Sequence, residues 1–469
     1  MRNKFFVVFI IFLIASCSSD DSPPNIIVII SDDQGYADVG FHGSKEIFTP
    51  NIDRIAKNGV VFSQGYASYA VCSPSRAGLI TGRYQNRFGY TRNILLAPKD
   101  SLMGLPISEQ TLPEVLNNVD YKTKAIGKWH LGAHESLVPE KRGFDEFFGF
   151  LIGGHRYFPN DLTLNDLTEA SRQMDGYITK IYDNGKRVNT KKYLTEELSD
   201  NAVKFIEDNS EDPFFLYLSY NAPHTPLQAT DTDLERNNHI DVEKRRTYAA
   251  MVSSMDDGVG SILDKLEEKN ISENTIVIFF SDNGGVEWYN FSDNGPLRGI
   301  KGDFFEGGIR VPFTMQWPKK IKPGIIYNKP IIALDVFATV VSAASAEKFI
   351  KNNIDGVKLI PYINGEINGS PHDYLFWKNP DKDIDVIRDN RYKYIRVKDD
   401  EYIFDLDNDL SEENNIISSS TPIYQKLKLK FKEWEKDMID PVFMDLGMGK
   451  EYNKINPDRW FNSSQETQK

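Results

Sequence analysis

Asn25-Ile26-Ile27-Val28-Ile29-Ile30 is a nearly unbroken apolar, β-branched run, and Asn274-Thr275-Ile276-Val277-Ile278-Phe279-Phe280 repeats the design far along the chain. Runs of this kind predict strands buried on both faces, as in a parallel sheet. The first stops at Ser31-Asp32-Asp33-Gln34-Gly35 and the second at Ser281-Asp282-Asn283-Gly284-Gly285. Each buried strand therefore ends in paired oxygen-bearing residues followed by a glycine turn. Between them strands and helices alternate. Thr49-Pro50 opens a helical period through Ile52, Ile55 and Ala56 that closes at Gly59, with Thr as N-cap and Pro at the first helical position. Thr111-Leu112-Pro113 opens another, and Phe214 to Tyr220 is a further apolar strand. From Val242 to Lys269, the positions Tyr248, Met251, Val252, Met255, Val259, Ile262, Leu263 and Leu266 follow a helical period. The alternation predicts an α/β class, a large mostly parallel or mixed sheet sandwiched by helices. Ligands of such sheets sit at the carboxyl ends of the strands, where both acidic turns fall.

From about Pro371 the texture changes. Tyr374 to Trp377, Asp385 to Arg388, Tyr392 to Val397 and Tyr402 to Asp405 read as short strands between Asp/Asn-rich turns, followed by a helix over Pro422 to Lys436. This predicts a smaller C-terminal antiparallel sheet of four strands with one helix, and a polar tail after Trp460. At the other end, Arg2 and Lys4 precede a short apolar stretch, Phe5 to Ile14, and then Ile14-Ala15-Ser16-Cys17. That is an export segment and not part of the fold. It resembles a bacterial lipobox, in which Cys17 is acylated, and Ser18 to Pro24 reads as a polar tether. The expected organisation is 1–24 signal peptide and tether, 25–370 catalytic domain, and 371–469 C-terminal subdomain. The expected location is the cell envelope of a Gram-negative bacterium, with the membrane met through the lipid anchor only.

Length and composition add bounds. The 469 residues call for one large domain plus a smaller one. The formal net charge of -13 argues against nucleic acid as the partner; it says little about a local pocket. There are two cysteines. If Cys17 is acylated, no disulfide can form, and Cys72 is a lone exported thiol that needs its own explanation.

That explanation lies in Cys72-Ser73-Pro74-Ser75-Arg76-Ala77-Gly78-Leu79-Ile80-Thr81-Gly82-Arg83. Pro74 suits a first helical turn, so Cys72 stands at a helix N-terminus, where free N–H groups and the dipole favour an anion. Arg76, four residues on, shares its face and offers a fork for oxyanions. Asp32, Asp33, Asp282 and Asn283 form an all-oxygen set, which points to a hard cation, Ca²⁺ or Mg²⁺, and away from zinc. Three further segments carry polar chemistry: Gly127-Lys128-Trp129-His130-Leu131-Gly132, Asn221-Ala222-Pro223-His224-Thr225-Pro226 and Leu297-Arg298-Gly299-Ile300-Lys301-Gly302.

Taken together these segments resemble the type I sulfatase family of the alkaline phosphatase superfamily. The first matches the pattern C-x-P-S-R followed by L-x-T-G-R at every fixed position. The resemblance implies that a maturase oxidises Cys72 to formylglycine, whose hydrate attacks sulfur with one hydroxyl and later expels sulfate through the other. It implies Ca²⁺ bound by Asp32, Asp33, Asp282 and Asn283, with an oxygen of residue 72 completing the shell. Carried over, Lys128 contacts sulfate, His130 is the base that collapses the intermediate, His224 protonates the leaving alcohol, and Lys301 bridges sulfate and leaving group. Position 300 is more often Gly in the family, so Ile300 is a small departure. After Gly143-Phe144-Asp145-Glu146-Phe147-Phe148-Gly149, better-known arylsulfatases often supply a Ser or His to the sulfate. Here stands Gly153-Gly154-His155-Arg156-Tyr157. His155 is therefore expected to line the sulfate subsite or hold a sugar hydroxyl, with Arg156 touching substrate. Asp161 to Asn189, rich in Asp and Asn, is expected to form part of the substrate wall. His42, His134, His239 and His372 have no motif partners and read as structural or exposed.

The reading is an exported hydrolase that removes sulfate from a sulfated carbohydrate. Its alternatives are a phosphate or phosphonate ester hydrolase of the same superfamily and a non-catalytic glycan-binding lipoprotein. The last requires loss of a catalytic residue, and none is lost.

Overall fold

The described residues of this computed structural model are 22–419 and 421–459. The segment expected to direct export, with Cys17, and the tail after Trp460 lie outside them. The strands are β1 (Asn25–Ser31), β2 (Val60–Phe62), β3 (Gly65–Tyr66), β4 (Lys122–Lys128), β5 (Glu146–Phe150), β6 (Ile181–Asp183), β7 (Lys186–Val188), β8 (Phe214–Ser219), β9 (Thr275–Ser281), β10 (Phe313–Gln316), β11 (Ile325–Tyr327), β12 (Ile331–Ile332), β13 (Leu375–Asn379), β14 (Ile384–Arg388), β15 (Tyr392–Val397) and β16 (Asp400–Asp405).

Ten of them form one mixed sheet in the order β11-β2-β10-β9-β1-β8-β4-β5-β6-β7. Its centre, β9-β1-β8-β4-β5, is parallel, while β10 and β6 run against it at the flanks and β7 turns back beside β6. β1 is the axis: Ile26 pairs with Phe215 on one side and Ile276 on the other, and every residue of β1 and β9 is buried. Strands covered on both faces need apolar side chains on both, which is the continuous run seen in the sequence. Helices flank the sheet in two groups. Pro50–Lys57, Leu194–Asp208 and Glu243–Glu268 pack together, and Cys72–Thr81, Leu112–Leu116 and Leu334–Ala343 form the other. The Thr49 hydroxyl does not cap its helix as expected; it accepts from the Gly40 amide and donates to Asp53.

β13 to β16 make a separate antiparallel meander covered by the Thr421–Glu435 helix. A second core joins it to the rest of the molecule, with Trp377, Val386, Ile395, Phe404 and Phe431 packed with Tyr66 of β3, which pairs with β12 in a separate two-stranded sheet, and with Tyr69, Phe304 and Leu334. Further on, Phe443 and Tyr452 return to the main core. Among the described residues no helix is long and apolar enough to cross a membrane.

Candidate active site

The carboxyl ends of adjacent strands assemble the site. Asp32 and Asp33 follow β1, Asp282 and Asn283 follow β9, Lys128 ends β4 with His130 two residues on, and Asn221 to His224 follow β8. Backbone and side-chain bonds stitch these turns together: the Asp32 amide donates to the Ala222 carbonyl, Asp282 to Ser31, and Gln34 to the Ser281 hydroxyl. Gly127, at φ +94, lets β4 turn sharply here; a Cβ would stand 1.9 Å from the Ser219 carbonyl oxygen. That close approach of β4 to β8 sets Lys128 and His130 over the strand ends.

Cys72 is the first residue of the Cys72–Thr81 helix and is buried. Its Sγ lies 3.6 Å from Asp32 Oδ1, and Lys301 Nζ lies 2.9 Å from that sulfur and 2.6 Å from Asp33 Oδ1. The Lys301 loop is fixed by its own amide on the Gly285 carbonyl. The helix start is not wholly open to an anion, because the Ser73 amide donates to Asn93 Oδ1. Burial, partly offset by Lys128 and Lys301, pushes the Cys72 thiol up to about 12.

Arg76 departs from expectation. It is fully buried, with Nε and Nη2 on Asp282 Oδ2 at 3.0 and 2.8 Å and Nη1 on the Lys128 carbonyl and the Ser219 hydroxyl. Its fork is thus taken up within the protein, where it orients Asp282 and the end of β4. Lys128 Nζ sits 2.6 Å from Asp32 Oδ2, with neither side chain exposed.

The pocket holds three carboxylates, Asp32, Asp33 and Asp282, against Arg76, Lys128 and Lys301. Burial raises Asp32, but Lys128, His224, Arg76 and Lys301 outweigh it and hold the carboxyl below its usual range. Asp282 moves the other way, pushed up by burial and by the nearby charge of Asp32. Crowded like charges of this kind are relieved by a cation. Ligand atoms of Asp32, Asp33, Cys72 and Asp282 all lie within 4.8 Å of one another. Asn283 adds a donor: its Nδ2 binds Asp33 Oδ1 at 2.7 Å, while its buried Oδ1 has no partner. Apart from the Cys72 sulfur the set is all oxygen, and with an orphaned carbonyl oxygen it suits a hard divalent cation.

His130 is buried in a left-handed conformation (φ +57), and its Nδ1 has no partner. Burial first, then the charges of Lys128 and Arg76, hold its imidazole neutral, well below the ordinary histidine range. His224 donates its Nδ1–H to the Thr225 carbonyl (2.6 Å) and turns Nε2 to Asp33 Oδ2 at 3.6 Å. Burial lowers it as well, against the pull of Asp32 and Asp33.

His155 corrects the sequence reading. It is fully buried, and both ring nitrogens face carbonyl oxygens, Nδ1 that of Arg156 and Nε2 that of Thr179. It fastens the chain and offers no polar atom to a substrate. Arg156 is half-exposed, 3.9 Å from Asp161. What matters in this segment is the pair before them. A Cβ at Gly153 would meet His130 Nε2 at 2.9 Å, so the glycine leaves that ring its place. Asn93, which steadies the helix start through Ser73 and is itself held by Asp445, carried no motif and was missed.

This chain belongs to the sulfatase family: the family model described as "Sulfatase" matches residues 24–346, and one described as "N-sulphoglucosamine sulphohydrolase, C-terminal" matches residues 301–437. The chain is 32% identical to "Uncharacterized sulfatase YdeN" of Escherichia coli (strain K12), over 76% of this chain and 64% of that one. It is 34% identical to human N-acetylgalactosamine-6-sulfatase, over 71% of this chain and 64% of that one. It therefore spans a little under two thirds of the length of these relatives. Among solved structures it is similar to Ps i-CgsB in complex with k-i-k-neocarrahexaose, with 37% identity, a TM-score of 0.85, and coverage of 95% of this chain and all of that one.

Proposed function

We propose that the chain hydrolyses sulfate esters of carbohydrates, with residue 72 in the formylglycine form as nucleophile and Ca²⁺ as its metal. The observation that carries the reading is the meeting of six separated segments around Cys72, between Lys301 on one side and the Asp32–Lys128 pair on the other. The thiol itself argues for conversion. A cysteine nucleophile works as thiolate, and a thiol held near 12 is inert at neutral pH. The hydrated aldehyde would supply a hydroxyl for attack and a second one for sulfate release. Asp32, Asp33, Asp282 and Asn283 would hold Ca²⁺, which would lower the pKa of that hydroxyl and neutralise sulfate charge.

The chain's own residues do the rest. Lys301, held cationic by Asp33, Cys72 and Asp32 against the effect of burial, offsets charge where the ester meets residue 72. Lys128 stands on the Asp32 side of that position. His130, neutral and with no partner for Nδ1 among the described residues, is assigned as the base that collapses the intermediate. His224, with Nε2 3.6 Å from Asp33 Oδ2, is assigned to protonate the leaving alcohol. Arg76 acts through Asp282. Arg156, exposed and following His155, is assigned to substrate. The sugar class rests on the relatives named for an N-acetylgalactosamine sulfate and crystallised with a neocarrahexaose. A maturase is required as partner, and Cys17 is assigned as the lipid anchor in a Gram-negative envelope.

The test is the mass of the proteolytic peptide containing residue 72 from native-host protein, paired with matched sulfate, phosphate and phosphonate esters. Loss of the thiol for an aldehyde, with preference for sulfate, is expected. Aldehyde with preference for phosphate or phosphonate moves the chain to that branch of the superfamily. Unmodified Cys72 with no turnover leaves a glycan-binding scaffold.

A further inference from the structure

Gly154 leaves space for a side chain that no motif announces. A Cβ there would stand 2.7 Å from the Tyr177 ring and from its hydroxyl oxygen. Tyr177 belongs to the Gln173–Ile178 turn, within the Asp161 to Asn189 stretch. The turn is pinned to the same floor: the Arg156 amide donates to the Tyr177 carbonyl, and Gly176 packs on Ile152. The ring is partly buried against the main core. Among the described residues, its hydroxyl has no hydrogen-bond partner. Among charges, those that act on it most are the site's, Lys301 first, then Asp32, Cys72 and Asp33. Burial keeps the phenol protonated throughout the working range, so the group is a standing donor. A rigid aromatic holding an unsatisfied O–H against Gly154, the residue next to the one that seats His130, is arranged to meet an anionic oxygen.

We propose that Tyr177 contacts the substrate, its phenol donating a hydrogen bond to an oxygen of the sulfate group, in the role that sequence reasoning gave to His155. The two glycines then have one purpose: Gly153 accommodates His130 and Gly154 accommodates Tyr177. This assignment rests on the sulfatase reading above.

Tyr177→Phe keeps the ring and its packing and removes only the donor. Full-length protein is compared with the variant by calorimetric titration of inorganic sulfate and by turnover of 4-nitrophenyl sulfate. Loss of a hydrogen bond to a charged group predicts roughly tenfold weaker sulfate binding and a similar drop in kcat/KM, with Tm unchanged. A purely structural Tyr177 would leave both Tm and sulfate affinity unchanged, since the ring and its packing are kept. Unaltered sulfate affinity in Tyr177→Phe overturns the assignment whether or not turnover is seen. Absence of sulfate-ester turnover by the wild type sinks the sulfatase reading instead, so the two failures read apart.

Discussion

Asn283 holds one side of the acidic cluster through its amide and leaves a buried carbonyl oxygen without a partner. An orphaned acceptor costs about 1–3 kcal/mol unless something meets it. With a cation in place the cost disappears and the crowding that raises Asp282 is relieved. Calcium at about a hundredfold over its Kd should therefore stabilise the protein by about 2.7 kcal/mol, read as a rise in Tm that EGTA reverses. Asn283→Ala should fold but lose most of that rise; a variant with the full calcium response would remove Asn283 from the metal shell. At this scale the sequence was most legible where a residue type and its spacing carry the chemistry. Cys72, the acidic turns and Lys301 converge as their motifs implied. It was least legible where a role is set by what surrounds a side chain. His155 is chemically able to bind sulfate, yet two backbone carbonyls claim its ring. Arg76 is a good oxyanion fork, yet Asp282 and Ser219 occupy it. Tyr177 has no signature at all, since only folding brings it against Gly154.

Elements were legible where their period is strong. β1, β9 and the Glu243–Glu268 helix follow their apolar patterns closely, because burial on both faces or along one stripe leaves the sequence little choice. The flanking strands β6, β7 and β11 are three residues each and are too short for periodicity to announce. Nor did the sequence show how the C-terminal meander is joined to the large sheet. Buried Lys393 of β15 lies 2.8 Å from Glu306 and 2.9 Å from Glu412, and the Glu306 amide donates to Glu412. Glu306 adjoins Gly307 and Gly308, whose backbone meets Gly284 of the metal turn. Burial, with Glu306 close by and Lys393 opposing, pushes the Glu412 carboxyl up to about 7, above its ordinary 4.5. A carboxyl whose folded pKa is raised favours the fold most below the unfolded pKa and loses that contribution as pH rises through the folded one. Stability should therefore decline between pH of about 4.5 and about 7 on account of this group. Glu412→Gln keeps the acceptor for the Glu306 amide and cannot ionise. Its Tm should fall less steeply than the wild type's from pH 5 to 8; equal slopes would show that Glu412 does not carry the dependence.

The molecule as a whole is a sheet with two poles. Net charge is -13, yet the site adds three cations to three carboxylates, and a bound divalent ion would turn it positive. Global charge and local recognition are thus independent, which is why the acidic composition does not bar an anionic ester. The site lies at the carboxyl ends of the parallel strands, and the chain enters at the opposite end. The Ser22 carbonyl accepts a bond from Asn274, just before β9, and β1 begins at Asn25. Seven residues of β1 at about 3.3 Å each set the two poles about 23 Å apart. If Cys17 is acylated, the five steps from Cys17 to Ser22 reach at most about 18 Å, at about 3.6 Å per residue. The lipid would then hold the entry pole against the membrane and leave the site facing away from it, open to a polymer in solution. Cys17→Ser should move the protein from the membrane to the soluble fraction, abolish labelling by a clickable fatty acid, and leave kcat/KM for a soluble aryl sulfate unchanged. Retention in the membrane fraction would refute the anchor. Loss of turnover in a correctly folded, released enzyme would refute the separation of poles, since it would mean that the membrane completes the site.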